Sequence, residues 1–485
     1  MRARRCLVPL AFFPAALVAG CTVGPDFHRP AAPVAPTYRA ADDVAPAAGA
    51  APQASLGEGP QAQWWRAFGS DALDQLVDQA LAHNESLAAS DATLAAAQAQ
   101  WRAVLGRRAP QIDANARAEQ QQVNLAAFGF GASPALGLDG NPDFHLYSVG
   151  GGISYDLDLF GGLKRQAEQS GSLALAQQRQ TEAAHLALAG QVVNQVLTIA
   201  AIRSQMAAQQ ALLSDDARNL DLMQKRQQGG EGTAVEVLSA QAQLAADRPA
   251  LPALQQQLAQ ARAMLATLLG ITPDALGATD FTLEQFALPA QVPVSLPSAL
   301  VHKRPDILAA EAQLHAATAE IGVATARLYP NITLGATLEQ GAPGLGDLTA
   351  NAFRGYDLFA GLTAPIFHGG TLKAQREAAV ARARAADHTY RQTVLTAFAQ
   401  VAELLHALDN DAQGVAMQQD ALNVADRART LSRKSFDVGN SGVLQVIDSQ
   451  RTWQRASTAL VQARAQQFLN VARLYVATAG GWVTE

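Results

Sequence analysis

Apolar residues recur every seven positions at Val192, Ile199, Met206, Leu213 and Leu220, within a stretch (163–228) that contains no proline. A sustained seven-residue repeat specifies helices that coil around partners through a narrow seam. Read as one helix, 163–228 is a rod of about 100 Å at ~1.5 Å per residue. An ordinary compact domain does not hold such an element. The pattern returns 209 residues later as Val394, Val401, Leu408, Val415 and Leu422, and the same shift carries Gly230 onto Gly439 and Gln241 onto Gln450. The chain is therefore an internal duplication of one long helical hairpin, with the stretches 371–436 and 442–479 forming the second copy.

That duplication changes what 485 residues mean. The length alone suggests several globular domains; the repeat suggests two copies of one elongated unit. Alanine supplies much of the apolar content and aromatics are only 6%, which suits close helix–helix approach better than a thick core. The net charge of −6 lacks the basic footprint that nucleic acid requires. Cys6 and Cys21 are the two cysteines, both near the N-terminus, so no disulfide framework or cysteine metal cluster is expected.

The N-terminus reads as an address. Arg2, Arg4 and Arg5 precede an apolar run, Leu7 to Ala19, that is too short to span a membrane comfortably. It ends in Leu17-Val18-Ala19-Gly20-Cys21, which resembles a bacterial lipobox: residues 1–20 are removed and Cys21 carries covalent lipid. An ordinary signal peptide cut near Gly20 is the plain alternative. Thr22, rather than Asp, follows the cysteine, a lipoprotein pattern that implies outer-membrane delivery. Cleavage would delete three arginines and no acids, taking the charge from −6 to −9. Residues 21–62 are rich in Ala and Pro and are expected to form an extended, lipid-anchored tether.

Helix is expected over 71–108, capped at Ser70 or Asp71 and restarting near Asn84. After Pro110 the period changes. Ile112, Ala114, Ala116 and Ala118 alternate with polar residues, the mark of a strand with two unlike faces. Strands are expected at about 110–125 and 144–160 in a first repeat (63–290), and at about 329–340 and 353–367 in a second (291–485), whose hairpin covers 371–479. Eleven of 28 aromatics fall in residues 110–160 and 329–367. Aromatics around strands with one polar face point to a transmembrane barrel with a polar lumen; a soluble sandwich is the alternative. Outside the signal the sequence shows no apolar run of eighteen residues, which argues against helical membrane spans. Four strands cannot close a channel, and open edges are not viable in lipid, so the barrel must be shared among subunits. Pro249 and Pro252 should interrupt the helix over 233–269.

Cys21-Thr-Val-Gly-Pro-Asp-Phe, Arg29-Pro30, Trp64-Trp65-Arg66-Ala-Phe68-Gly69, Leu296-Pro297, Arg304-Pro305-Asp306-Ile307 and the Ile321–Pro330 stretch resemble the NodT/OprM branch of TolC-type outer-membrane efflux lipoproteins. The resemblance implies a mainly α, internally duplicated fold. A homotrimer would form a long coiled-coil helical barrel plus a shared 12-stranded transmembrane β-barrel. It also implies an exit duct coupled to a periplasmic adaptor and an inner-membrane pump of the resistance–nodulation–division type, conducting substrates such as drugs. The hairpin turns at Gly229, Gly230 and Gly232, and at Val438, Gly439, Asn440, Ser441 and Gly442, would receive the adaptor. Leu444 and Asp448 would form rings around a closed pore entrance, a dewetting constriction beside a cation-attracting one. The first copy has Val235 and Ser239 at those places, and Gln445 stands where some relatives carry a second acid.

A lipid-anchored coiled-coil scaffold without a pore, or a duct for metal ions or proteins, are the competing readings. No enzyme is expected. The histidines form no HExxH motif, Gly129-Phe-Gly131 lacks the third glycine of a dinucleotide loop, and Asp215-Asp216 reads as a solvated helix face.

Overall fold

The computed structural model describes residues 22–31, 37–38, 52–57, 59–122, 124, 143–277 and 281–478. Cys21, the signal segment, Gly129 and Gly131 lie outside them. In chain order the elements are β1 (Gln53–Gly57), a 3-10 turn (Trp64–Phe68), α1 (Asp71–His83), α2 (Glu85–Gly106), β2 (Gln111–Gln122) and β3 (Asp143–Asp156). Next come α3 (Gly162–Gln228), α4 (Ala234–Asp247), α5 (Ala250–Leu268), β4 (Gln291–Ser295), α6 (Pro297–Lys303) and α7 (Pro305–Ala326). The chain continues through β5 (Asn331–Ala342), β6 (Arg354–Thr363), α8 (Thr371–Asp437) and α9 (Val443–Ala477). The long helices α3 and α8 are each 67 residues. Adding 209 to both ends of α3 gives both ends of α8, so the duplication holds at the level of elements.

The helix breaks have local causes. Ser70 Oγ accepts from the Leu73 amide at 3.4 Å at the start of α1. Asn84 leaves the helical region, caps α2 by accepting from the Leu87 amide at 3.0 Å, and donates to the Leu268 carbonyl at 2.9 Å. One side chain thus joins the α1–α2 break to the end of α5. Gly270 sits there at φ +70°, where a Cβ would run into the His83 carbonyl. Pro249 separates α4 from α5, and Pro252 falls in the first turn of α5, where its missing N–H costs no helical bond.

The chain divides into two compact units, whose boundary falls within α2, α3, α7 and α8. Among the described residues, the first takes 22–29, Ala96–Ala174 and Ala312–Asp387; the second takes Pro30–Ala95, Leu175–Glu311 and 388–478. In the second unit Trp64, Trp65 and Phe68 are buried, with Trp64 stacked on Tyr475 at 5.3 Å and Phe68 against Phe468 at 6.3 Å. The three aromatics of the Trp-Trp-Arg-Ala-Phe motif are core. Arg304 grips both Asp306 oxygens, at 2.9 and 3.1 Å through Nε, and donates to the Ala477 carbonyl at 3.0 Å. The Arg-Pro-Asp motif therefore ties the start of α7 to the end of α9. β1 pairs in parallel with β4. Part of the expected tether is thus a strand, because the alternating Gln53–Gly57 offers a free edge to Gln291–Ser295.

The first unit holds a four-stranded antiparallel sheet in the order β2-β3-β5-β6. Two strands end earlier than expected. β3 stops at Asp156 because Asp158 adopts φ +47° and its carboxylate accepts from the Leu163 and Lys164 amides at 2.8 and 2.9 Å, opening α3. β6 stops at Thr363, short of Pro365. α3 does carry one eighteen-residue stretch apolar enough to cross a membrane, correcting the sequence expectation; 67% of it is buried inside the protein, as in a core helix.

Candidate pore, entrance and docking tips

The sheet register sorts side chains by chemistry. Ile112 pairs with Ile153, Ile153 with Ala336, and Ala336 with Leu358. Val149, Tyr155, Leu334, Leu338, Tyr356 and Leu362 fall on the same face, which is apolar and solvent-exposed in the single chain; Ile112 is 77% exposed. The opposite face carries Asp113, Asn115, Arg117 and Glu119 on β2, Ser148 and Ser154 on β3, Thr337 and Glu339 on β5, and Asp357 on β6. An exposed apolar sheet face with a polar reverse is the inside-out pattern of a barrel in lipid. Glycines on the polar face allow close packing: a Cβ at Gly335 would strike the Phe359 ring. Among the described residues β2 and β6 are sheet edges.

The turn residues act as the glycine spacing predicts. Gly230 and Gly439 both take φ +79°. The Glu231 and Gly232 amides return to the Arg226 carbonyl at 2.9 and 3.1 Å, and the Asn440 amide returns to Ser435 at 2.8 Å. Gly229 continues the helical bonding to Lys225, as Val438 does to Lys434. The exits differ. Thr233 and Glu236 make a reciprocal capping box at the start of α4, whereas Gly442 opens α9 with no side-chain cap. Ser441 Oγ is buried without a hydrogen-bond partner. The two turns are held together by a cluster of Met223, Ala240, Phe436, Val443 and Val446.

Leu444 is 68% exposed and Asp448 is also exposed, four residues along the same face of α9 and away from that cluster. Val235, at the matching place in the first copy, is exposed as well, while Ser239 is half-buried.

Residues 76–271 and 296–480 match the outer membrane efflux protein family. The chain belongs to this family. It is 35% identical over 425 residues to the pyoverdine export outer membrane protein OpmQ of Pseudomonas aeruginosa, covering 87% of this chain and 88% of that protein. It is 29% identical to the toluene efflux pump outer membrane protein TtgC of Pseudomonas putida, covering 96% and 94%. The solved outer-membrane channel OprN superposes with a TM-score of 0.84 at 27% identity, covering 95% of this chain and all of that one. The resemblance drawn from the lipobox and the Arg-Pro-Asp motif is correct. The protein is an outer-membrane efflux protein of the TolC type, a transporter family rather than an enzyme family.

Two constellations take specific partners in the structure. The Gly-Pro-Asp-Phe motif after Cys21 is a clamp within the first unit. Arg165, its side chain 5% exposed, donates to the Val23 and Gly24 carbonyls at 3.2 and 3.4 Å and to Asp26 and Glu168 at 2.6 and 2.7 Å. Phe27 stacks on His315 at 4.3 Å, and His315 meets Glu168 at 2.9 Å. Gly24, at φ +92°, lies flat on Gly322 with no room for a side chain. Asp215-Asp216 corrects the sequence expectation, because it is no solvated face. Asp215 binds Arg218, Arg429 at 3.8 Å and Gln450 at 3.1 Å. Asp216 is buried, and its carboxyl is pushed up to about 7 by that burial and by the neighbouring Asp247 carboxyl. The signal was in the repeat: Ile202, Gln209, Asp216 and Met223 are seven apart and all buried, a second seam beside the one anchored by Leu213 and Leu220.

Proposed function

We propose that three copies of this chain close a 12-stranded β-barrel over a helical barrel, forming the exit duct of a tripartite efflux system. The four-stranded sheet supports this most directly: its exposed face is apolar, its reverse is polar, and among the described residues its β2 and β6 edges pair with no further strand. β2 and β6 run antiparallel by virtue of their places in the sheet order, so the edge of one copy suits the edge of the next. Closing the ring removes every edge, as lipid demands. Lipid on Cys21 anchors the N-terminus, and the clamp at Arg165 fixes residues 22–27 beside α3.

The turns at Gly229–Gly232 and Val438–Gly442 receive a periplasmic adaptor that couples the duct to an inner-membrane pump. Leu444 and Asp448 form the gate, because they project from α9 unused by packing within the chain. Solutes pass down their gradient once that ring widens. OpmQ is a pyoverdine exporter and TtgC belongs to a toluene efflux pump, so the duct serves small molecules selected upstream by its pump. In planar bilayers, Leu444→Ala with Asp448→Ala should raise the single-channel conductance of the trimer; unchanged conductance would remove the gate assignment.

A further inference from the structure

The carboxyl pair at the α4–α5 break, Asp216 buried and Asp247 partly exposed, has no role in the duct as described. Asp216 projects from α3 and is 4% exposed, yet its Oδ2 has no hydrogen-bond partner. It faces Asp247, the last residue of α4, where a helix C-terminus already disfavours negative charge. Asp247 is held in place: Gln243 donates to its Oδ2, and Gln209 donates to its carbonyl at 2.7 Å. Gln243 is itself buried, with its Oε1 left unpartnered.

The charged groups around the pair come from three elements. On α3, Asp215 adds negative charge; on α4, Asp247 does the same; on α9, Arg451 draws Asp216 toward ionisation. Arg455 on α9 lines the same open cleft as Asp247 and Arg451. Asp215 is already engaged by Arg218 and Arg429. A buried carboxyl facing a second carboxylate is favoured in its protonated form, because ionised it would be both desolvated and repelled.

The pair is also specific to one copy. Adding 209 to Asp216 and Asp247 gives Ala425 and Ala456, so both acids are absent together from the second hairpin. There the equivalent helix, α9, is unbroken, whereas in the first copy the pair sits where α4 gives way to Pro249 and α5.

We propose that the Asp216–Asp247 pair is a proton-controlled joint: protonated, it fastens the end of α4 to α3; deprotonated, it loosens α4 and the Gly229–Gly232 turn that α4 carries. This does not depend on the duct reading.

The sign follows from the direction of the Asp216 displacement, upward from 3.8 to about 7. The folded contact holds a proton that the open form has released, so closure is strongest below 3.8 and weakens as pH rises to about 7. Above that value the loss levels off.

Hydrogen exchange of amides in Ala234–Asp247, measured on the full-length protein and corrected for the intrinsic pH dependence of exchange, reads the local opening. In the wild type, opening should rise by up to about tenfold per pH unit between roughly pH 4 and pH 7. In Asp216→Asn, whose amide can donate to Asp247 at any pH, opening should be flat; Asp247→Asn gives an independent second variant. Amides in the last turns of α9, away from the cluster in which Ala240 packs on Val443 and Val446, should show no matching rise. Flat opening in the wild type, or an equal rise in Asp216→Asn, would overturn the joint.

Discussion

Replacing Arg165 with methionine keeps an apolar stem of similar reach and removes the guanidinium. Four contacts go with it, to Val23, Gly24, Asp26 and Glu168. The Asp26 contact is exposed and is left out of the sum. The two bonds to backbone carbonyls come from a buried charge, each worth roughly 1.5–3 kcal/mol. Their lengths of 3.2 and 3.4 Å place them at the low end, giving about 3 kcal/mol together. Glu168 loses one partner and keeps His315. If residues 22–27 open as a unit, roughly a hundredfold rise in local opening follows from about 1.4 kcal/mol per decade. The Val23 amide donates to the Phe160 carbonyl at 3.1 Å and reports directly on that opening. Its hydrogen exchange in Arg165→Met should accelerate about a hundredfold, with α8 and α9 unchanged. Acceleration below about threefold would refute the clamp, since fewer than 0.7 kcal/mol would then rest on Arg165. Acid should act in the same direction. Burial alone would raise the Glu168 carboxyl, but its bonds to His315 and Arg165 outweigh that and hold it below 4.5. The stabilisation is present above that value and fades as pH falls through the lowered one.

Two further substitutions probe the second unit. Gly270→Val must adopt φ +70° and drive a Cβ into the His83 carbonyl; a cost of at least ~1–2 kcal/mol from the backbone alone is expected, read as a lower thermal midpoint. Phe68→Ala, at a fully buried ring packed on Phe468 and Tyr475, should cost about 3–5 kcal/mol in denaturant unfolding.

Periodicity carried most of the fold. The sevens located α3 and α8 because they mark the face a helix packs, and alternation located four strands because it marks two chemically unlike faces, one apolar and one polar. Other features carry no such period. The strand at Gln53–Gly57 is five residues in a Pro-rich segment, and its pairing with Gln291–Ser295 spans more than two hundred residues of chain. Asp158 ended β3 by adopting a left-handed conformation, which alternation cannot reveal. At the tips the glycines were legible because only φ > 0 makes those reversals. Asp216 stands in phase with Met223, but a charged residue beside Asp215 reads as solvent-facing on its chemistry alone, and only its place in the seam says otherwise. The Arg165 clamp was illegible for another reason: its partners lie about 140 residues away in the chain.

The shared barrel is tested most directly by linking its edges across chains. A cysteine at Ala360→Cys on β6, combined in turn with cysteines at Ile112, Ala114, Ala116 and Ala118 on β2, should give one register that oxidises in outer membranes to a covalent trimer on denaturing gels. A scan in which every pair is accessible to thiol reagent, yet only monomer is recovered, would contradict a barrel built from three copies of this sheet.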